Sequence, residues 1–338
     1  VRRAAAAGLA LSLALLLLII ALVPSTDDFA LDNPFWNGMS RLAALLGARP
    51  VAAMDAGSLP GNSLVLVIGP SRPFTAQEAR ALKAFVERGG VLVVADDFGT
   101  ANTLLALMGL RVRLNGSLLA DPLFMHRSQY LPLARVAVGG RELRVYLNYG
   151  TFIEAAEGRC IGYSTPFSYI DANMNGRHDP GEPHGPFCTV LEARLGRGRL
   201  YLVADSSVFI NSMLGLGDNL ELARLLAGGR RAYIVADKWS PGLYTAARRL
   251  LAGAAAAALQ TSLRYPLAAA LGLAAYQAGR RLCRAARRRG RSAGPESEVE
   301  RLLALHPGWD PDTLKRLAEE MRHAAQRGRE AGRGHRGA

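Results

Sequence analysis

The chain has 338 residues, enough for two ordinary domains; half of it is hydrophobic and its net charge is +13. That charge is unevenly placed, because residues 25–246 hold 21 basic and 20 acidic side chains whereas residues 277–338 hold 15 and 8. No basic stripe runs through the central region, which argues against nucleic acid as a partner; positive ends around a neutral middle match a membrane protein with both termini cytoplasmic.

Residues 1–3, with Arg2 and Arg3, form a short cytoplasmic N-terminus before Ala4–Val23, twenty uncharged residues rich in Leu, Ile and Ala. At about 1.5 Å per residue this run covers roughly 30 Å and predicts a first transmembrane helix. A cleaved signal peptide is the alternative; its apolar run is normally shorter, and no clear Ala-x-Ala site precedes Pro24. Residues 25–246 then form an extracytoplasmic domain. Met39–Leu46 has helical spacing and stops at Gly47, before a short extended Pro50–Met54. Ser63–Gly69 is a continuous apolar run, as in a strand buried on both faces. Thr75 and Glu78 form a capping box for a helix through Arg88, with Ala79, Leu82, Phe85 and Val86 on one face. Gly89-Gly90 ends it, Val91–Ala95 is a second buried strand, and a helix follows near Asn102–Met108. Alternating strands and helices predict an α/β fold with a doubly wound parallel sheet.

An antiparallel insertion is expected at about 110–195. Ala134–Val138 and Leu143–Leu147 flank Gly139-Gly140 as a hairpin, Cys160–Tyr163 is a short strand, and Cys188–Ala193 with Arg199–Ala204 forms a hairpin returning into the sheet. Asn219–Ala227 reads as a helix and Tyr233–Ala236 as a last strand. Inside the insertion, Asp171, Asn173, Asn175, Arg177, Asp179 and Glu182 occupy positions 1, 3, 5, 7, 9 and 12 of an EF-hand calcium loop, with Gly176 at position 6. Arg177 would contribute its backbone carbonyl. The competing reading is a polar turn in which Asn and Asp bond their own backbone. Pro180 and Pro183 block an ordinary exiting helix, so the loop reads as a structural calcium clamp of modest affinity rather than a sensor switch. Cys160 and Cys188 lie on the strands flanking it and predict a disulfide, against the alternative of two buried thiols.

Leu243–Ala258 reads as an Ala-rich helix, and residues 259–279 as a second transmembrane helix fixed by seven arginines between Arg280 and Arg291. A buried helical hairpin is the alternative for 250–279. Residues 280–338 are then a basic cytoplasmic tail with helices at Glu296–Leu305 and Pro311–Gln326, fit to dock a partner or rest on anionic lipid. The last dozen residues read as disordered.

Ligands of open α/β sheets bind beyond the carboxyl ends of strands, which points to Asp96, Asp97, Thr100, Asn102, Asp205, Ser206 and Asn211. No nucleophile elbow surrounds Ser206 or Ser207, and no phosphate loop or dinucleotide fingerprint is present. Capping helices and closing turns is the competing role for these residues.

The stretches Arg88–Asn102, Asp171–Phe187 and Gly198–Asn211 together resemble the uncharacterised membrane-anchored family known as domain of unknown function 4350, over roughly residues 35–230. The resemblance implies a flavodoxin-like, class I glutamine-amidotransferase-like ectodomain, often encoded beside a MoxR-type ATPase. Amidotransferases of this fold use a Cys on an elbow and a His partner; neither is matched here, so that activity is not carried over. The expectation is a two-pass cell-membrane protein with a non-enzymatic binding ectodomain, partnered by lipid and other membrane or cytoplasmic proteins. A hydrolase or transferase using Asp96, Asp97, Asp205 and Ser206 is the alternative.

Overall fold

The computed structural model describes residues 2–262, 264–292 and 295–334. It divides into two compact units, residues 1–252 and 253–338.

In the first unit, helix α1 (Arg2–Leu22) and α2 (Ser40–Leu46) precede strands β1 (Arg49–Val51) and β2 (Ser63–Ile68). Helix α3 (Ala76–Glu87), strand β3 (Val91–Ala95) and α4 (Ala101–Leu107) follow. The predicted capping box closes α3: Thr75 accepts the Glu78 N–H, and Glu78 accepts the Thr75 N–H at 2.7 Å. Then come β4 (Val112–Leu114), β5 (Leu118–Ala120), β6 (Met125–His126), β7 (Ser128–Val138), β8 (Arg141–Tyr146), β9 (Ile153–Ala155), β10 (Arg159–Ser164) and β11 (Tyr169–Asp171). Strands β12 (Cys188–Leu195) and β13 (Gly198–Val203), helix α5 (Asn219–Ala227), strand β14 (Arg231–Val235) and helix α6 (Leu243–Gln260), of which residues up to 252 belong to this unit, complete the order.

Ten strands form one mixed sheet in the order β1-β14-β2-β3-β13-β12-β10-β7-β6, with β8 paired to β7. From β1 to β13 all pairs are parallel, and from β13 outward all are antiparallel. The expected doubly wound sheet is therefore only its parallel half. Of the antiparallel strands, β12, β10, β7, β6 and β8 continue the same sheet, because β12 folds back on β13 through the tight Gly196-Arg197 turn, while β4 with β9 and β5 with β11 form two separate two-stranded sheets, the part of the expected insertion that stands apart. β2 and β3 are buried along their whole length, as their unbroken apolar runs require. One apolar core lies on each sheet face: Leu64, Leu66, Val93, Val203 and Leu222 on the side of α2 and α5, and Val65, Leu92, Leu202, Phe85 and Leu104 on the side of α3 and α4.

Where the chain enters and leaves this unit, two segments clasp each other. Ser25 and Thr245 hydroxyls meet at 2.9 Å, Asp27 accepts the Gly242 N–H at 3.0 Å, and Asp32 pairs with Arg248 at 2.7 Å. The Tyr244 hydroxyl donates to the Val23 carbonyl at 2.7 Å.

The second unit holds α7 (Arg264–Ser292), α8 (Pro295–Leu305) and α9 (Pro311–Gly334). Its last helix runs to Gly334, eight residues beyond the predicted end at Gln326, where disorder was expected; residues 335–338 lie outside the described residues. A helix once nucleated propagates at little cost, so Gly328 and Gly332 do not stop it. Among the described residues no helix is long and apolar enough to cross a membrane. Of the two predicted spans, the first coincides with α1, and 259–279 is divided between the end of α6 and α7, with Leu263 outside the described residues.

Candidate functional site

β3 and β13 are parallel neighbours in the register Ala95↔Val203, which sets the segments after them side by side. Asp96 turns back onto its own loop, accepting the Asp97 N–H at 2.9 Å and the Ala101 N–H at 2.7 Å, and so caps α4. Thr100, at the helix entrance, makes no side-chain cap. Burial raises the Asp96 carboxyl above its usual range in spite of the backbone donors. Asn102 bonds both the N–H and the carbonyl of Leu114, at 2.8 and 2.9 Å, and pins β4 to α4.

Asp97 accepts the Ser206 N–H and, at 2.9 Å, the Ser206 hydroxyl. Asp205, which has no exposed surface, accepts the N–H groups of Asn148 and Ser207. Burial pushes Asp97 up to about 6, with the Asp96 charge adding to it. Burial and then the Asp97 charge raise Asp205 well above the ordinary carboxyl range. Beside them, at the base of the Asn148–Thr151 loop, the Thr151 N–H bonds the Ala204 carbonyl at 2.8 Å. Gly150 packs so closely here that a Cβ would lie 2.9 Å from both Asp205 Cβ and the Ala204 carbonyl oxygen.

Asn211 is also buried. It donates to the Asn33 and Phe35 carbonyls at 3.0 and 2.7 Å and accepts the Arg41 N–H at 2.9 Å, fastening residues 33–41. The structure thus gathers Asp96, Asp97, Asp205 and Ser206 at one edge, while Asn102 and Asn211 serve neighbouring joints. Cys160 and Cys188 are joined to each other, so neither offers a free thiol to this edge.

Sequence reasoning missed Lys238, just past β14. Its side chain is 8% exposed, and its ammonium pairs with Glu78 at 2.6 Å and lies 4.9 Å from the Phe74 ring centre. For Glu78, burial alone would raise the carboxyl; the Lys238 hydrogen bond and charge, with the Thr75 bonds, outweigh it and hold the group low. Asp237-Lys238 directly after a strand was the available signal.

The loop Asp171–Glu182 folds as a chain of turns around its own oxygens. Asp171 accepts the Asn175 and Gly176 N–H groups at 3.1 and 2.9 Å, Asn173 accepts the Asn175 N–H at 3.1 Å, and Asn175 accepts the Arg177 N–H at 2.8 Å. Asp179 receives the Asn173 and Asn175 amides at 2.7 and 2.6 Å, while Glu182 accepts the Ala172 and Asp179 N–H groups, each at 2.9 Å. Among the described residues no group of three His, Cys, Asp or Glu side chains is set to hold a metal ion. The donor set is nevertheless all oxygen, the chemistry a hard cation takes. Tyr130 ties the loop to the strand-end region: its hydroxyl donates to Asp171 and its ring stacks on Tyr149 at 5.1 Å. Burial and the bond to Asp171 push the Tyr130 hydroxyl up to about 12. Below the loop, Cys160 and Cys188 form the predicted disulfide between β10 and β12, with Cα atoms 5.8 Å apart.

Fold and site define a mixed α/β domain whose strand-end carboxyl groups face inward, onto each other and onto backbone. The chain belongs to the family described as Domain of unknown function (DUF4350), whose model matches residues 32–227. No curated protein sequence matches it. Among solved structures it is similar to the mmIFT52 N-terminal domain, at 15% identity and a TM-score of 0.40, over 52% of this chain and 81% of that one. It is also similar to alpha-L-fucosidase isoenzyme 2 from Paenibacillus thiaminolyticus, at 20% identity and 0.30, over 48% and 24%. A third likeness is to the beta-galactosidase from Bacillus circulans sp. alkalophilus, at 13% and 0.29, over 50% and 23%. The chain spans about a quarter of the length of these two glycosidases. At these scores the likenesses carry no argument about activity.

Proposed function

We propose that this chain is a membrane-attached, non-enzymatic binding module, glutamine-amidotransferase-like in ancestry, whose Asp171–Glu182 loop takes calcium as a structural ion. The observation that carries the non-enzymatic reading is the internal engagement of the strand-end groups: Asp96, Asp97, Asp205, Ser206, Asn102 and Asn211 all spend their hydrogen bonds on the protein itself. What that edge offers to a partner is apolar, with Phe98 67% and Tyr149 48% exposed. Membrane attachment is supported by α1, whose Leu11, Leu15, Leu18 and Leu22 stand exposed on a helix of 21 residues. The basic second unit supplies a docking element for a cytoplasmic partner, for which a MoxR-type ATPase is the class the family resemblance brings. Calcium would draw on Asp171, Asn173, Asn175, the Arg177 carbonyl, Asp179 and Glu182, and would replace the amide contacts now meeting Asp179.

The test of the calcium claim is the melting temperature of the chain in chelator and in millimolar calcium. An upward shift, absent from Asp171→Ala and Glu182→Gln variants, is expected; no shift in the parent chain ends the claim. The hydrolase or transferase reading draws on one observation, the Ser206 hydroxyl bonded to Asp97 at 2.9 Å, with the Asp97 and Asp205 carboxyl groups raised by burial. Their burial, at 9% and 0% exposure, weighs against it.

A further inference from the structure

The opposite edge of the sheet, where the parallel strands begin, carries arginines. The β12–β13 hairpin runs Glu192-Ala-Arg194-Leu-Gly-Arg197-Gly-Arg199, so its tip holds three guanidinium groups. Arg194 and Arg199 are direct cross-strand partners. Like charges placed opposite each other in an antiparallel pair destabilise it, and the fold keeps them there. On the next strand Arg159 stands opposite Glu192.

Glu192 is the one carboxylate among these groups and works as a spacer. Its side chain, 12% exposed, bonds Arg159 at 2.7 Å and Arg199 at 3.0 Å and receives the Tyr201 hydroxyl at 3.3 Å. Burial would raise its carboxyl, but the Arg159 bond and the two arginine charges hold it low, so it stays ionised and fixes both guanidinium groups. Arg194 and Arg197 have no carboxylate partner among the described residues. Two adjoining hollows open here. One of about 640 Å³ is lined by Arg159, Glu192, Arg194 and Arg199; one of about 420 Å³ shares Arg159, Glu192 and Arg199 and adds Arg141, paired with Glu221, and Glu142, paired with Arg135. A guanidinium presents a planar fork that matches the oxygens of phosphate, and several forks around one hollow select a multiply charged anion.

We propose that this hairpin-tip groove is a binding site for a polyvalent phosphate-type oxoanion, held by Arg159, Arg194 and Arg199 with Glu192 as their spacer. It is a second site, independent of the strand-end reading and of the calcium loop. The anion relieves the Arg194–Arg199 repulsion that the empty groove retains.

The experiment titrates the 338-residue chain calorimetrically with inorganic phosphate, with tripolyphosphate, and with phosphatidylglycerol vesicles, in parallel with thermal melting. Tripolyphosphate is expected to bind saturably, at least ten-fold tighter than phosphate, and to raise the melting temperature. An Arg194→Gln variant, which leaves the Arg199–Glu192 pair in place, is expected to lose affinity ten-fold or more, yet to melt no lower than the parent without ligand. A Lys315→Gln/Arg316→Gln variant, altered on α9, controls for the basic second unit and keeps the parent's affinity. Vesicle binding weakened by the hairpin variant assigns the phosphate to a lipid headgroup; vesicle binding unchanged by it assigns a soluble one. Equal tripolyphosphate affinity in the hairpin variant and parent, or a hairpin variant that melts lower without ligand, overturns the proposal.

Discussion

Asp97 and Asp205 are carboxyl groups that stability pays for at neutral pH. Each has its folded pKa raised by burial, so the folded chain holds protons that the unfolded chain has released. Their stabilising contribution is complete below the ordinary carboxyl value of 3.8; that of Asp97 is lost as pH rises through about 6, and that of Asp205 as pH rises through its own raised value. The domain is therefore expected to be more stable at pH 5 than at pH 8. A shift from 3.8 to about 6 corresponds to on the order of 2–3 kcal/mol for Asp97. Asp97→Asn, which keeps an oxygen for the Ser206 N–H, is expected to flatten that dependence; urea midpoints across pH 4–8 measure it, and an unchanged slope refutes the raised Asp97 carboxyl. The positions of these residues were legible, because strand ends can be read from apolar runs. Their pairing was not, since it depends on β3 and β13 being neighbours although a hundred residues of sequence separate them. Lys238 was hidden for a related reason: a lysine reads as a surface group until Glu78, from another element, is known to lie against it.

At the scale of elements, local signals were dependable. The Thr75–Glu78 box, the β7–β8 hairpin across Gly139-Gly140 and the full-length burial of β2 and β3 all follow from residues within a few positions of one another. What the sequence hid was how elements join, above all that the antiparallel strands extend the parallel sheet. The disulfide depends on that joining. β10 and β12 pair with Arg159 opposite Glu192 and Tyr163 opposite Cys188, and the bridge closes a 28-residue separation that contains the calcium-type loop. In the chain-entropy model such a closure stabilises by about 3–4 kcal/mol. Cys160→Ser/Cys188→Ser is expected to lower unfolding free energy by that order in urea. Amide exchange is expected to rise first in residues 171–182; uniform exchange across the sheet would show the bridge does not serve that loop.

At the scale of the molecule, charge, membrane and partner are separable questions. The neutral centre visible in composition conceals two opposed edges, one of buried carboxyl groups and one of exposed arginines, which cancel in any sum over residues 25–246. Composition alone could not resolve them, because only the sheet sorts its strands into a beginning and an end. Topologically, the clasp between residues 25–32 and 242–248 closes the α/β domain into a ring. The ends of this ring are already joined by Ser25–Thr245, Asp27–Gly242 and Asp32–Arg248, so the place where the backbone opens is a matter of connectivity rather than of packing. A circular permutant that links residue 245 to residue 25 by a short glycine-serine bridge and opens between Gly139 and Gly140, both exposed in the β7–β8 turn, is expected to fold and to melt in one cooperative transition. A permutant that shows no such transition would mean that the clasp does not hold the ends together. If it does fold, the sheet needs neither α1 nor the part of α6 beyond residue 245 to form.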